Sequence, residues 1–483
     1  MARQKKKIVW GTISLGLVLA GCNLSPSYER PDMHLTESWR FELDDLEAYA
    51  NVAWWEAFQD PVLTDLIKTA LQNNQNLQVA VSRVLQYYDQ YRVVFANLLP
   101  HVDGQAIVDR VKNSNAMTTI PRPPSAISPR ISWLYQLYLK FSYEIDFWGK
   151  IRNQAASAWA SYLSQVDAQR NVVVGLVSGV AQGYVQLKQF DNQLKISQGT
   201  YEARKNAWDI QLKRFNVGLV SEMEVKQAES DAEAAAVQVV NFKTLIAQQE
   251  DLICVLLGQQ PGPIPRGVLL SEMKLPPEIP AGLPSDLLEN RPDIMQAEQN
   301  IIAANANIGV ARAAFFPTLL LTGAMGKESI TTHYLLKSAA STFDYSLNAL
   351  QPLFEGGKLV YQLKEQEALL QEAIHSYQQT ILTALQEAND SIIGHANAKE
   401  KLQIQVDQVA ALAEYLRLSI LRYGNGQNDY LTVLNAENSL FAAQLESAAT
   451  EANVFKTLID LYKALGQGWQ VDGDYANTAN CDP

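Results

Sequence analysis

The sequence predicts an α+β membrane protein built as two internal repeats, in which four strands per chain close into a barrel only with other copies and run on into very long helices. Three observations carry this. The residues from Ile131 to Phe147 place an apolar or aromatic side chain at all nine odd positions, while six of the eight even positions are polar. Two stretches, Lys150 to Phe215 and Lys358 to Tyr423, each near 66 residues, keep helical apolar spacing with no breaker strong enough to end them. The order of these parts occurs twice along the chain.

The chain opens on a basic segment, Arg3 with Lys5, Lys6 and Lys7, followed by an apolar run from Ile8 to Ala20. That run is too short to span a bilayer and reads as a secretory signal, residues 1–21. Its end, Leu19-Ala20-Gly21-Cys22, resembles a lipobox, at which cleavage leaves a lipidated Cys22. Asn23 follows in place of the aspartate associated with inner-membrane retention, which permits sorting to the outer membrane. An extended lipid-anchored segment then occupies residues 22–59.

Repeat 1, residues 60–258, starts at Asp60-Pro61, an N-cap followed by a proline suited to the first helical position. Repeat 2, residues 284–466, starts in the same way at Ser285-Asp286 after Pro284, and these first helices end near Pro100 and Pro317. Strands follow, at Val102 to Asp109 and Ile131 to Phe147 in repeat 1 and at Thr318 to Met325 and Phe343 to Ala349 in repeat 2. The 17 residues of the second strand reach ~56 Å, more than a bilayer core requires. Four strands cannot close a membrane barrel, whose smallest forms have about eight, so oligomerisation is required.

The long helices come next. Leu359, Leu363, Leu370, Ile374, Tyr377, Ile381 and Leu385 step by three, four or seven, a coiled-coil-like seam. Gly175, Gly179 and Gly183 lie on one ridge and predict close helix packing. Turns occur at Arg214 to Ser221 and at Arg422 to Asp429, where Gly218 and Gly426 supply a left-handed stop. Ser221 to Glu224 forms a capping box, and Asp429 or Asn428 caps the equivalent helix. The returning helices end at Leu257-Gly258 and Leu465-Gly466; residues 259–283 read as a Pro/Gly-rich linker and 467–483 as a tail.

The duplication keeps register. Arg214-Phe215, Gly218, Val225 and Leu257-Gly258 recur as Arg422-Tyr423, Gly426, Val433 and Leu465-Gly466 at 422 − 214 = 208, whereas Leu77, Ala80 and Pro100 answer to Ile294, Ala297 and Pro317 at 317 − 100 = 217. Repeat 1 therefore holds about nine extra residues between Pro100 and Gly149.

Composition excludes other classes. The 483 residues are 47% hydrophobic and 19% charged, and 39 basic against 51 acidic residues give a net charge of −12, which disfavours nucleic acid. His34, His101, His333, His375 and His395 are scattered without ligand spacing, so neither catalysis, a metal nor a cofactor is expected. Cys254 sits among Leu252, Ile253, Val255 and Leu256 and reads as a buried free thiol, a disulfide to Cys481 being the alternative.

Several motifs carry a resemblance. Trp54-Trp55 through Asp60-Pro61, Tyr143 through Gly149, Gly282 through Ile294, Ala313 through Pro317 and Pro352 through Lys358 resemble the TolC-like and OprM-like outer-membrane factor family, in its lipoprotein branch. Asn290 departs from the arginine common there. The resemblance implies a homotrimer with a 12-stranded barrel and a periplasmic α-helical barrel, a periplasmic adaptor protein, and an inner-membrane transporter, often of the resistance-nodulation-division type. Efflux of small toxic compounds across the outer membrane is the expected function; a duct for secreted protein or peptide shares the fold, and a non-conducting lipid-anchored scaffold is the third reading. The family closes the periplasmic end with acidic residues and with a tyrosine and an arginine near the turn. Matched residue by residue, Arg422 and Tyr423 fit that pair, Asn435 and Thr432 stand where relatives carry acids, and Asp429 is the candidate ring charge or a helix cap. The turns around Arg214, Gly218, Ser221 and Gly426 are the candidate adaptor contacts.

Overall fold

A computed structural model describes residues 23–33, 39, 53–112, 131–275 and 284–469. Cys22, the signal segment and Cys481 lie outside the described residues.

After a 3-10 turn at Trp54–Phe58, α1 (Pro61–Asn73) begins on Asp60, whose carboxylate accepts from Val62 N at 2.9 Å and Leu63 N at 3.3 Å. That bond satisfies amide groups that a helix start leaves without a partner. Leu63, Leu66, Ile67, Ala70 and Leu71 form the buried stripe. Asn74 then takes an extended backbone, and its Oδ1 accepts from Leu77 N at 3.0 Å to start α2 (Gln75–Ala96). Strands β1 (His101–Lys112) and β2 (Ile131–Ile145) lead to α3 (Lys150–Asn216), a 67-residue helix ~100 Å long. Asp146 accepts from Ile151 N at 3.0 Å and Arg152 N at 2.8 Å, so the chain leaves β2 two residues earlier than its alternation suggests in order to cap α3. α4 (Glu222–Leu256) returns.

The second half contains α5 (Leu287–Asn290), α6 (Pro292–Ala313), β3 (Thr318–Ser329), α7 (Thr332–Leu335), β4 (Ser341–Leu350), α8 (Lys358–Gly424) and α9 (Tyr430–Ala464). Four pairs of equivalent elements have equal lengths: 22 residues in α2 and α6, 12 in β1 and β3, 67 in α3 and α8, 35 in α4 and α9. The offset of 217 holds through α2 and β1, and 208 from α3 onward.

Two local expectations are corrected. No long helix starts at Ser285-Asp286: residues Pro284–Asp286 are a 3-10 turn, Asp286 makes no side-chain cap bond, and α5 is a single turn. Pro292 is responsible, because it has no N–H and pushes Arg291 to φ −89, ψ 118, so the long helix restarts with Pro292 at its first position. Close packing along the glycine ridge is confined to one end: a Cβ on Gly183 would meet Gln249 Nε2 at 3.2 Å and Ile253 Cγ1 at 3.3 Å, whereas one on Gly175 would meet nothing within 4 Å.

The chain forms two compact units, and each draws on both repeats. Of the described residues, those up to 31, of 85–164 and of 298–376 form one, and those of 32–84, 165–297 and from 377 onward form the other. The first holds the sheet, antiparallel throughout in the order β1-β2-β3-β4. In the second, the break before each repeat's second helix closes the last turn of its returning helix. Asn74 Nδ2 donates to Leu256 O at 2.8 Å, and the equivalent Arg291 (291 − 74 = 217) donates through Nη1 to Ala464 O at 2.9 Å. Arg291 also binds Asp293 through two bonds of 3.0 and 2.7 Å and Glu387 at 2.7 Å. The most specific motif of the sequence is thus a structural clasp. Nearby, Lys188 pairs with the buried Asp60 at 3.0 Å, and Tyr184 donates to the same carboxylate at 3.0 Å. Cys254 is a buried free thiol that donates to Gly262 O at 3.3 Å.

Candidate functional site

Register sorts the sheet into two chemically opposite faces, since directly paired residues point to the same side and neighbours along a strand to opposite sides. Val108, Tyr135 and Ser329 share one face, as do Gly104, Leu139, Met325 and Phe343, and Phe141, Gly323 and Tyr345. On this face every described strand residue between Val102 and Val108, between Ile131 and Ile145, and between Leu319 and Met325 that shares the parity is apolar, aromatic or glycine. The opposite face carries Asp103, Asp109, Glu144, Glu328 and Asp344, with Lys140 and a ladder of Gln, Ser, Thr and Asn. Thr322 and Ser346, paired across β3 and β4, share a hydrogen bond of 2.8 Å there. Such a sheet fits a wall with hydrocarbon on one side and water on the other. Its outer strands β1 and β4 each have an edge without a partner strand among the described residues. Among the described residues no helix is long and apolar enough to cross a membrane.

The helical turns repeat one motif. Leu219 N donates to Arg214 O and Gly218 N to Phe215 O; Gln427 N donates to Arg422 O and Gly426 N to Tyr423 O, all within 2.8–3.0 Å. These are paired Schellman bonds, which require a left-handed residue, and Gly218 and Gly426 have φ of 73° and 70°. Glu224 accepts from Ser221 N at 2.9 Å to start α4. Asp429 starts α9, accepting from Thr432 N at 3.0 Å and from Thr432 Oγ1 at 2.6 Å, and these bonds hold its carboxyl below the usual range.

Of the residues singled out from sequence, the fold brings two groups together. Tyr423 Oη accepts from Arg214 Nη1 at 3.1 Å and Gln211 Nε2 at 3.3 Å, and its ring lies 5.5 Å from that of Tyr430, over a core of Ala228, Val433 and Leu434. Asp429 and Thr432 form the second group. Arg422, Asn435, Gly218, Ser221 and Gly426 are exposed and stand outside both groups. Beside the turns, Val217, Leu219 and Met223 are more than 70% exposed, an apolar tip that helical spacing concealed.

Sequence reasoning missed Arg204. It is buried, donates to Asp231 O at 3.1 Å and Asn438 Oδ1 at 2.7 Å, and covers the Phe441 ring at 5.3 Å. Burial raises the carboxyls of Asp231 and Glu437, with Arg204 opposing the shift at each. One carboxylate oxygen of each is buried without a hydrogen bond. Only three-dimensional packing unites these residues. Among the described residues no group of His, Cys, Asp and Glu could hold a metal.

Known proteins match this geometry over almost the whole chain. The model of the family described as outer membrane efflux protein matches residues 66–259 and 283–467, one stretch in each repeat. Relatives from Pseudomonas putida, named as outer membrane proteins of antibiotic and toluene efflux pumps, are 33% identical over 470 residues, covering 95% of this chain and of theirs. The Escherichia coli cation efflux system protein CusC is 30% identical over 463 residues, 94% of this chain and 98% of its own. The solved open-state outer membrane channel MtrE of Neisseria gonorrhoeae superposes with a TM-score of 0.82 at 27% identity, covering 93% of this chain and 99% of that one. With both repeats matched and the same α+β fold found in a solved outer-membrane channel, the chain belongs to the outer membrane efflux protein family, as the outer-membrane component of an efflux pump.

Proposed function

We propose that three copies of this chain close a 12-stranded barrel and form the outer-membrane duct of a tripartite system that exports small toxic compounds. The observation that carries the reading is the two-faced sheet with an unpaired backbone edge on β1 and on β4. Each edge is unsatisfied in hydrocarbon, and joining β4 of one copy to β1 of the next removes every edge at once. The cargo class rests on relatives named for toluene and antibiotic efflux. A passive duct takes its energy from its partners: a periplasmic adaptor protein and an inner-membrane transporter, of the resistance-nodulation-division type.

Cys22 is the lipid anchor in this reading. The residues after it lie against the helical end of the sheet's own unit: Asn153 Nδ2 donates to Asn23 Oδ1 at 2.9 Å and Asn305 Nδ2 to Pro26 O at 2.8 Å. Asn153 is in the first turn of α3, just beyond β2, so acyl chains on Cys22 start near the inner-leaflet end of the strands. Tyr423 and Asp429, with Arg422, Thr432 and Asn435 around them, form the periplasmic constriction, and the turns at Arg214, Gly218, Ser221 and Gly426 meet the adaptor. Native mass spectrometry in mild detergent tests the core of the proposal. It is expected to give three chains, each with a diacylglyceryl adduct; a stable folded monomer overturns the barrel, and an unmodified Cys22 overturns the anchor.

A further inference from the structure

The charges on the apolar face of the sheet are all of one sign and all at one end. By register, Arg110 pairs with Trp133, Lys112 with Ile131 and Lys327 with Leu137, so all three cations stand on the largely apolar face, at the end where Ser329 and Ser341 also lie. No carboxylate shares that face among the described strand residues, since Asp103, Asp109, Glu144, Glu328 and Asp344 all fall on the other.

That end has a direction. All four helical connections leave the sheet at His101, Ile145, Thr318 and Leu350, and the other ends of the strands, Lys112, Ile131, Ser329 and Ser341, lie opposite. Arg110 and Lys327 each lie nine residues from the helical end of their strands (110 − 101 = 9; 327 − 318 = 9). Nine residues rise ~31 Å along a strand, and at a tilt of about 40° this is ~23 Å of height, close to the ~25 Å of an apolar barrel band. The cations therefore begin where the hydrocarbon ends.

Their surroundings suit an interface. Arg110 lies over the Trp133 ring at 5.3 Å, and Trp133 stacks on Tyr135 with ring centres 6.0 Å apart. Lys327 Nζ donates to Leu336 O at 2.8 Å and Lys337 O at 3.0 Å, which uses two of its three donors and holds the third at the rim. Arg110 and Lys112 are exposed.

We propose that Arg110, Lys112 and Lys327 form a belt that binds the phosphate groups of an anionic lipid in the outer leaflet. This rests on the barrel reading, which turns the apolar face to lipid. A lipid headgroup is the occupant, because the cations adjoin aromatic and aliphatic residues that need acyl chains, whereas free phosphate has no use for that face. Three copies multiply the belt around the rim.

Native mass spectrometry of the purified full-length assembly in neutral detergent, titrated with bisphosphorylated lipid A, phosphatidylcholine or inorganic phosphate, tests the belt. Lipid A is expected to bind in preference to phosphatidylcholine. Each cation near a lipid surface contributes about fivefold, so Arg110→Gln with Lys327→Gln weakens lipid A binding about 25-fold. Arg110→Lys with Lys327→Arg retains it, and Lys140→Gln, on the opposite face, leaves it unchanged. Equal binding of phosphatidylcholine, displacement by inorganic phosphate, or full binding by the double glutamine variant overturns the belt. The same spectra separate the two readings: a three-chain mass without lipid A selectivity removes the belt alone, and absence of the three-chain assembly removes the barrel and the belt with it.

Discussion

Tyr423 and Arg214 join the two helical turns, the phenol oxygen of one repeat accepting from the guanidinium of the other at 3.1 Å. The contact links α8 to α3 at their far ends, where Gln211 adds a second donor at 3.3 Å. A tip that must part to open has to break it. Tyr423→Phe removes the acceptor and keeps the ring, costing about 1 kcal/mol at the tip. Planar-bilayer conductance of the purified channel should be low, rise in Tyr423→Phe, and rise further in Tyr423→Ala. Arg214→Gln should couple to Tyr423→Phe in a double-mutant cycle by about 0.5–1.5 kcal/mol. Additive effects would show that the bond does not hold the tip.

Asp429 separates charge from capping. Its carboxylate caps α9 through Thr432, which lowers its pKa, so its stabilising contribution is present above the ordinary carboxylate value and lost as pH falls through the lowered one. Asparagine caps as well as aspartate does. Asp429→Asn should leave the melting temperature nearly unchanged and abolish cation preference in reversal-potential measurements. Unchanged selectivity would make Asp429 a cap alone.

Glu437 and Asp231 are carboxyl groups held where water is scarce. Burial is the first cause of each upward shift, and Arg204 opposes it. The folded chain then binds more protons than the unfolded chain, and stability rises as pH falls through the raised folded value toward the ordinary carboxylate one. Melting followed from pH 8 to pH 4.5 should show the assembly gaining stability relative to Glu437→Gln, whose profile should be flatter. Parallel profiles would place the pH response elsewhere.

Arg291 is the clasp most sensitive to change. Its guanidinium, 7% exposed, serves Ala464 O, Asp293 and Glu387 together, and those carboxylates keep it firmly protonated against the opposing effect of burial. Arg291→Met should cost about 2–3 kcal/mol, because it leaves the buried helix-end carbonyl of Ala464 without its charged donor, while Asp293 and Glu387, 28% and 50% exposed, keep access to water. Asn74→Ala, its neutral equivalent, should cost about 1–2 kcal/mol. Comparable melting temperatures for the two variants would contradict the ranking.

The periodic parts of this molecule were legible because strands and helices each write one repeating pattern. The turns were legible because Gly218 and Gly426 have to be left-handed. Strand ends were read short where chemistry changes at a boundary: β1 runs on to Lys112 past Asp109, because Arg110 and Lys112 break the apolar alternation while the ladder continues. Ser285-Asp286 after Pro284 read as a helix start like Asp60-Pro61, but Pro292 ends that turn after four helical residues. Arg204 left no local trace, since its partners Asp231 and Asn438 lie 27 and 234 residues away. Arg291 stood inside a recognised motif, yet its partners Glu387 and Ala464 are named only by the fold.

Equal helices in the two repeats make the reach of the protein a matched pair of rulers. Deleting one residue from α3 alone would draw its turn back ~1.5 Å and rotate it ~100° past α8. Arg214 would then face away from Tyr423, and the two tips would stand at different levels. A seven-residue deletion restores the facing but leaves a step of ~10.5 Å unless α8 loses the same seven. Span is therefore a quantised property here, adjustable only in whole heptads cut from both copies together.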